Sequence, residues 1–326
     1  MGGTSAEREV SLRSGRAVAR ALERAGHDVV RLQLGAARQT LRMLSEARLD
    51  VAFLALHGRL GEDGCIQGML ELLGVPYTGS SVLGSALAMD KAKAKEMFRL
   101  HNVPTPAYYV FEGEGTREAI LDCHNDFGYP VMVKPSHEGS SVGLQKVHNA
   151  DELVSAMRQA QAFDARVLVE RFTTGQEITV GILNGRVLGC LEVAPAQGVF
   201  DFQAKYRSND TQYFVPPRLT QTQCRGAEQL ALRAAKSLDV TGAARVDMIV
   251  SEQLNDYVLE VNTQPGMTEM SLLPKIAEAA GMPFGQLCEQ IVQGARLHVG
   301  QPRQLKQAEV VPLTRAPQAE LAAAGQ

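Results

Sequence analysis

The sequence predicts a mixed α/β and α+β protein built in more than one unit, and three observations carry that prediction. Near the front, a helical face is followed by continuous apolar runs of strand length, the pattern of parallel strands covered on both sides. In the second half, Glu177 to Leu183 and Arg186 to Val193 flank Asn184-Gly185, the dipeptide favoured where both turn residues need positive φ, so a β-hairpin is expected. The chain has 326 residues, 45% hydrophobic and 21% charged. That is ample for two or three compact units and unlike a disordered or coiled-coil chain.

Taken in order, apolar residues at Val10, Ala17, Val18, Ala21, Leu22 and Ala25 form one helical face, and Gly26 stops it. Asp28 to Leu34 reads as a strand, and so does Val51 to Leu56, which ends at His57-Gly58; Ile66 to Leu73 is a short helix. These elements make an α/β first unit over residues 1–88. A Lys-rich helix from Asp90 to Leu100, halted by Val103-Pro104-Thr105-Pro106, opens a second unit over 89–174. Its strands are expected at Tyr108 to Phe111, Val131 to Lys134, Leu144 to Val147 and Val167 to Phe172, with a helix over Asp151 to Gln161. The third unit, 175–298, contains the hairpin, a long irregular stretch from Ala194 to Pro217, a helix over Cys224 to Leu238, and strands at Ala244 to Val250 and Asp256 to Val261. It closes with a helix from Pro283 to about Leu297. The long stretch exceeds an ordinary connection and is expected to be a functional loop. Residues 299–326 lack periodicity and are expected to be a disordered tail.

Composition excludes several function classes. With 33 Lys and Arg against 36 Asp and Glu, the net charge of -3 supplies no basic surface for a polyanion, so nucleic acid is not an expected partner. Five isolated cysteines form no C-x-x-C pair, which argues against a disulfide framework or structural zinc and fits a reducing, cytoplasmic setting. No apolar run is long enough to cross a membrane, and the polar, Gly-rich start does not read as a signal peptide.

The sharpest chemical signal is Asp247 on one strand with Glu260 and Asn262 on the next. Alternation puts Arg245 with Asp247, and Glu260 with Asn262, on one face, leaving Val246, Met248, Leu259 and Val261 for the core. If the strands pair antiparallel through the Glu252 to Asp256 turn, three oxygen ligands converge, a set suited to Mg²⁺ or Mn²⁺ held together with phosphate oxygens. The plainer reading is an exposed polar strand face. Lys134-Pro-Ser-His-Glu-Gly-Ser-Ser-Val-Gly143 lies between two apolar strands and could cradle a phosphate with its amides and its lysine; a small-residue hairpin is as good a reading of this segment alone. Lys91 is a phosphate ligand or a solvated charge. Thr4 and Glu7 have capping-box spacing, yet a carboxylate at a helix start near parallel-strand ends also faces the crevice where α/β proteins bind ligands, as does His57. Asn262 to Leu272 is an irregular turn in which the Gly266 amide, and Ser271 with the Leu272 amide at a helix start, could meet an oxyanion or carboxylate; an ordinary Pro-Gly turn is the alternative.

Together these motifs resemble D-alanine:D-alanine ligases of the ATP-grasp superfamily. The resemblance is carried by Gly2 to Leu12, Ala55-Leu-His-Gly58 with Gly61-Glu-Asp-Gly64, Pro76 to Ser80, Met89-Asp-Lys91, Val133 to Ser136 with Glu138 to Gly143, Lys205-Tyr206, Arg245-Val-Asp247, and Glu260 to Thr263 with Pro265-Gly-Met267. It runs from Gly2 to about Leu297. It implies a three-domain ATP-grasp fold with a Rossmann-like N-terminal domain, and ATP held between the central and C-terminal domains. By matching position, Lys91, Lys134, Ser140 and Lys205 would serve the nucleotide phosphates, Glu170, Arg171 and Phe172 the adenine hinge, and Glu177 the ribose. Asp247, Glu260 and Asn262 would hold two Mg²⁺ or Mn²⁺ ions. Glu7 and His57 would grip the first D-alanine, Arg245 and the Gly266 amide would stabilise an oxyanion, and Ser271 with Leu272 would receive the second carboxylate. Ser140, Tyr206 and Glu7 would form a hydrogen-bonded set orienting the first substrate.

The implied reaction joins two D-alanines through a D-alanyl phosphate for peptidoglycan precursor synthesis, in a cytoplasmic homodimer. A D-alanine:D-lactate ligase, another ATP-grasp ligase, or an inactive nucleotide-binding relative are the alternatives; Lys205-Tyr206 favours an amine as second substrate. One departure stands out. In the family an apolar strand leads into the Gly-Gly turn, whereas only Met1 precedes Gly2 here, so the first sheet is expected to lack its first strand and to hold Glu7 less firmly. A start assigned too far downstream would account for this.

Overall fold

The computed structural model describes residues 1–5, 7–139, 143–195, 211–251 and 255–299. Helix α1 (Arg8–Arg24) forms as expected, but its buried face is shifted: Val18 and Leu22 are buried together with Leu12 and Ala19, whereas Val10, Ala17 and Ala21 are half-buried and Ala25 is exposed. It is followed by α2 (Ala37–Glu46), α3 (Cys65–Leu73), α4 (Val82–Met89) and α5 (Lys91–Leu100). The two apolar runs expected as strands of this region form no ladder. Residues 28–34 and 51–56 make only isolated parallel bridges, Gly2 with Leu34 and Ala52 with Tyr77. No bridge among the described residues joins one segment to the other, and both line a groove of about 450 Å³ together with Leu22 and Leu70.

Two antiparallel sheets follow, both close to expectation. The first contains β1 (Tyr108–Phe111), β2 (Val131–Pro135), β3 (Gln145–Val147) and β4 (Val167–Arg171) in the order β1-β4-β2-β3. Helices α6 (Arg117–His124) and α7 (Ala150–Gln161) cover one face, where Ile120, Leu153 and Met157 are fully buried against Val131, Val133 and Val169. The second contains β5 (Gln176–Leu183), β6 (Arg186–Ala194), β7 (Gln212–Phe214), β8 (Ala243–Val250) and β9 (Tyr257–Asn262) in the order β7-β6-β5-β8-β9. The β5–β6 turn is as anticipated, with Asn184 at φ 50° and Gly185 at φ 77°. Strand β7 corrects the reading of Ala194 to Pro217 as wholly irregular, because its three residues pair with Glu192 to Ala194. The rest of that loop, 196–210, lies outside the described residues, as does the expected tail from 300 onward.

Helix α8 (Gln221–Ser237) opens with a full capping box from Thr220 and Gln223 and packs its alanine-rich face on the second sheet. The same core takes Ala94 and Phe98 from α5, which ties the Lys91 helix to the second sheet. Helices α9 (Leu272–Ala279) and α10 (Phe284–Gln293) close the chain, and Val18 and Leu22 of α1 join Leu273 and Leu287 in one buried cluster. Burying side chains of this size contributes about 1.5–3 kcal/mol each, enough to hold the first region against the last helices. Among the described residues no helix is long and apolar enough to cross a membrane.

Candidate active site

Strands β8 and β9 pair antiparallel with Asp247 opposite Glu260 and Arg245 opposite Asn262, the register that brings the four polar side chains to one face. The ladder shifts after Asp247, where Met248 pairs with Val258, so Leu259 is an extra residue on β9. The expected core face is corrected accordingly. Val246, Met248, Val258 and Val261 are buried, whereas Leu259 turns to line the adjoining cleft. The bulge re-aims the strand just before Glu260. Asp247 is held on every side: Arg245 donates to its two oxygens through Nε and Nη2 at 2.9 Å each, Thr179 Oγ1 donates at 2.9 Å, and Asn262 Nδ2 donates at 3.2 Å.

The donor chemistry is two carboxylates and an amide, all hard oxygens once the Asn262 amide presents its carbonyl. Among the described residues no cluster of three His, Cys, Asp or Glu side chains could hold a metal ion. Two carboxylates and an amide carbonyl are hard-oxygen donors of the kind that share a divalent cation with phosphate oxygens, since Mg²⁺ is commonly bound by one or two carboxylates plus substrate phosphates.

Space for such a ligand lies directly beside it. A cleft of about 460 Å³ between the two sheets is lined by Lys91, Lys134, Glu170, Glu177, Asp247 and Glu260, uniting six residues singled out from the sequence. Lys91 starts α5, whose N-cap is Asp90; its ammonium donates to the Glu138 carbonyl at 2.6 Å and lies 3.7 Å from Glu260 Oε2. Lys134 on β2 pairs with Glu170 on β4. Glu170 also pairs with Lys95, a buried lysine one helical turn beyond Lys91. Burial lowers the Lys95 pKa to about 8 in spite of Glu170. Burial alone would raise the Glu170 pKa, but Lys134 and Lys95 outweigh it and hold the carboxyl below its usual range. Sequence reading missed Lys95, although its i+4 spacing from Lys91 places both on one helical face.

At the hinge, the Arg171 amide donates to Ala107 and the Phe172 amide to Pro130, so both are committed to the sheet. Phe172 instead presents its ring to the cleft, with Lys146 Nζ 3.6 Å from the ring centroid. Arg218, also on the cleft wall, grips the buried Glu192 through Nε and Nη2, a pair the sequence did not announce.

The front of the site gathers around Glu7. The capping-box alternative fails: Glu7 is itself the N-cap of α1, no side chain caps the helix, and Thr4 is exposed. The buried Glu7 carboxylate instead faces the glycine-rich loop so closely that a Cβ on Gly139 would lie 2.5 Å from its Oε2, and one on Gly58 2.9 Å. His57 is buried beside it, 3.4 Å from Ser14 Oγ and 3.6 Å from Glu62 Oε1. Burial would lower its pKa, but Glu62 and then Glu7 reverse the direction and raise it. Ser14 also accepts from the Met267 amide at 3.1 Å, linking α1 to the turn after β9. In that turn a Cβ on Gly266 would sit 2.9 Å from Ser271 Oγ. Ser271 is the N-cap of α9, yet its hydroxyl makes no cap bond; it contacts Thr268 Oγ1 at 2.8 Å and accepts from the Thr268 amide at 3.0 Å. Leu272 is the first, buried residue of that helix. Ser140, Lys205 and Tyr206 lie outside the described residues. Ser14 was absent from the sequence reading because it belongs to no motif with a chemical signature of its own, and Glu62, although inside the quoted Gly61-Glu-Asp-Gly64 motif, was given no role there.

Two family models match the chain, one described as the D-ala D-ala ligase N-terminus over residues 33–80 and one as the D-ala D-ala ligase C-terminus over residues 97–293. A D-alanine–D-alanine ligase of Syntrophotalea carbinolica is 46% identical over 297 residues, covering 91% of this chain and 95% of the relative. That of Geobacter sulfurreducens is 46% identical over 300 residues, covering 92% and 93%. Among solved structures, the D-alanine–D-alanine ligase of Bacillus anthracis complexed with ATP superposes with a TM-score of 0.78 at 34% identity, covering 90% of this chain and 94% of that one. The VanG D-Ala:D-Ser ligase of Enterococcus faecalis gives a TM-score of 0.78 at 28% identity, covering 90% and 97%.

Proposed function

The chain belongs to the D-alanine–D-alanine ligase family, with an ATP-grasp fold, and from that premise we propose that it joins two D-alanines at the expense of ATP for peptidoglycan precursor synthesis. The observation that carries the reading is the cross-strand pairing of Asp247 with Glu260 on the wall of a cleft that also holds Lys91 and Lys134. It supports a nucleotide lying between the sheets, its phosphates at the lysines and the loop through Ser140, with Lys205 reaching them from the 196–210 loop. Glu170, Arg171 and Phe172 border the base and Glu177 the ribose. Asp247, Glu260 and Asn262 would hold two Mg²⁺ or Mn²⁺ ions, which supply charge neutralisation for the transferring phosphoryl group.

Glu7 and His57 orient the first D-alanine so that its carboxylate oxygen meets the γ-phosphorus, with Ser140 and Tyr206 completing the set. The bond to the β-phosphate breaks, and the products of that step are an acyl phosphate and ADP. Ser271 and the Leu272 amide receive the carboxylate of the second D-alanine, whose deprotonated amine attacks the acyl carbon. Arg245 and the Gly266 amide lie where charge develops on the tetrahedral oxygen, and phosphate departs. Units at 1–88, 89–174 and 175–298, a homodimer and a cytoplasmic setting complete the proposal.

The acyl phosphate makes an isotopic prediction. With D-alanine labelled in its carboxylate by ¹⁸O, released phosphate carries one ¹⁸O. Unlabelled phosphate alongside dipeptide would exclude the intermediate.

A further inference from the structure

His137 has no part in the chemistry above, yet it sits at the centre of a half-buried ionic knot beneath the phosphate loop. Its Nδ1 is 2.7 Å from Asp164 Oδ2 and its Nε2 3.2 Å from Asp90 Oδ2, while its own amide donates to Asp164 at 2.8 Å. A neutral imidazole has one donor and one acceptor nitrogen, so carboxylates facing both nitrogens fit only the doubly protonated, cationic ring. Asp90 is the N-cap of α5, accepting from the Ala92 and Lys93 amides and from Ser136 Oγ, and so fixes the helix end that carries Lys91. The Lys91 amide donates to the Ser136 carbonyl at 3.0 Å and the Lys91 ammonium to the Glu138 carbonyl at 2.6 Å, one residue to either side of His137. The loop base and the lysine helix are therefore fastened together at three consecutive residues, and His137 is the charged one.

We propose that protonated His137 is a positioning residue for ATP: by bridging Asp164 and Asp90 it holds the start of the phosphate loop against the Lys91 end of α5. This rests on the ligase reading and concerns the same cleft.

The surrounding charges set the sign of a pH dependence. Facing His137 are Asp90 from α5, and Asp164 with Arg166 from the segment before β4; Arg166 donates to Asp90 at 2.8 Å and to Glu112 at 2.6 Å. Lys93 on the exposed side of α5 is paired with Glu96, and Glu138 is paired with Arg59. Hydrogen bonding to Asp90, opposed by partial burial and reinforced by Asp164, raises the His137 pKa. A raised histidine keeps its bridge below its unfolded value, near 6.5, and loses it only as pH rises through the folded value. Loop placement then weakens on the alkaline side.

The test compares wild type with His137→Gln and His137→Arg, measuring KM for ATP and kcat from pH 6.5 to 9.5 under saturating D-alanine, with thermal melts as a folding control. The expected result is a KM for ATP raised roughly tenfold or more in His137→Gln at pH 7, with a smaller fall in kcat and little change in KM for D-alanine. Wild-type KM for ATP rises with pH, and that rise is reduced in His137→Arg, whose charge persists. Lys95 titrates in all three proteins, so the difference between wild type and the arginine variant isolates position 137. Parallel wild-type and His137→Arg profiles, or a KM in His137→Gln within twofold of wild type, would overturn the inference. An inactive wild type would instead overturn the ligase reading.

Discussion

Arg245 is the residue at which the structure adds most to what its type and place imply. Its guanidinium spans both oxygens of Asp247, the carboxylate proposed above as a cation ligand. In the proposed reaction it can serve the tetrahedral oxygen only when that fork opens. Replacement by alanine removes a positive charge from the reacting centre while Thr179 and Asn262 still orient Asp247. Arg245→Ala is expected to lower kcat by roughly 10²–10³-fold, the cost of one oxyanion donor, with a much smaller change in KM for ATP. Steady-state kinetics check this, and equal, modest losses in both would count against the oxyanion role. The placement of Asp247 opposite Glu260 was legible from strand alternation, because period-2 geometry leaves few choices once two strands are recognised. Lys95 was not, because a buried lysine looks like a surface lysine until its partner is placed, and that partner, Glu170, is far away in the chain.

At the scale of elements, the segment from Lys134 to Gly139 gains its meaning from what presses on it. Gly139 lies against the Glu7 carboxylate at a distance that admits no Cβ, so Gly139→Ala displaces either the loop or Glu7. The expected outcome is a loss of roughly 10²-fold in kcat/KM for the first D-alanine, the penalty of a misplacement near 1 Å, with the melting temperature little changed. A variant with wild-type kinetics would show that Glu7 and the loop need not touch. The other helices and most strands of both antiparallel sheets were readable because their periodicity and Asn-Gly turn are local, whereas α2, α4, α6 and β7 were not anticipated. The ladders expected over 28–34 and 51–56 were misread, because strand-like composition does not say which backbone lies alongside, and most of 28–34 is in fact exposed. Which backbone lies next to such a run is a tertiary fact. The Leu259 bulge was equally hidden, since a one-residue shift leaves no mark in the pattern of types.

For the whole molecule, the cleft depends on regions far apart in sequence being held together by charge as well as by apolar packing. Asp90 and Asp164 join three segments beneath the loop, and Glu170 joins Lys134 to Lys95. Burial would raise each of these carboxyls, but their cationic partners and hydrogen bonds prevail, leaving all three below the usual range. A depressed carboxylate stabilises the fold above its unfolded pKa, about 4, and that contribution is lost as pH falls toward the folded value. The melting temperature is therefore expected to hold near neutrality and to drop steeply below about pH 4, and Asp90→Asn, which keeps a capping side chain, to soften the drop. Identical acid profiles for the two proteins would remove Asp90 from the account. The most direct test of the central claim, that the Asp247 and Glu260 face serves a D-alanine-activating nucleotide cleft, is phosphate release from ATP with D-alanine, L-alanine or D-lactate. The prediction is release that requires D-alanine, matches dipeptide formed, and falls by at least about 10²-fold in Asp247→Asn. Release indifferent to D-alanine, or unaffected by that substitution, would contradict it.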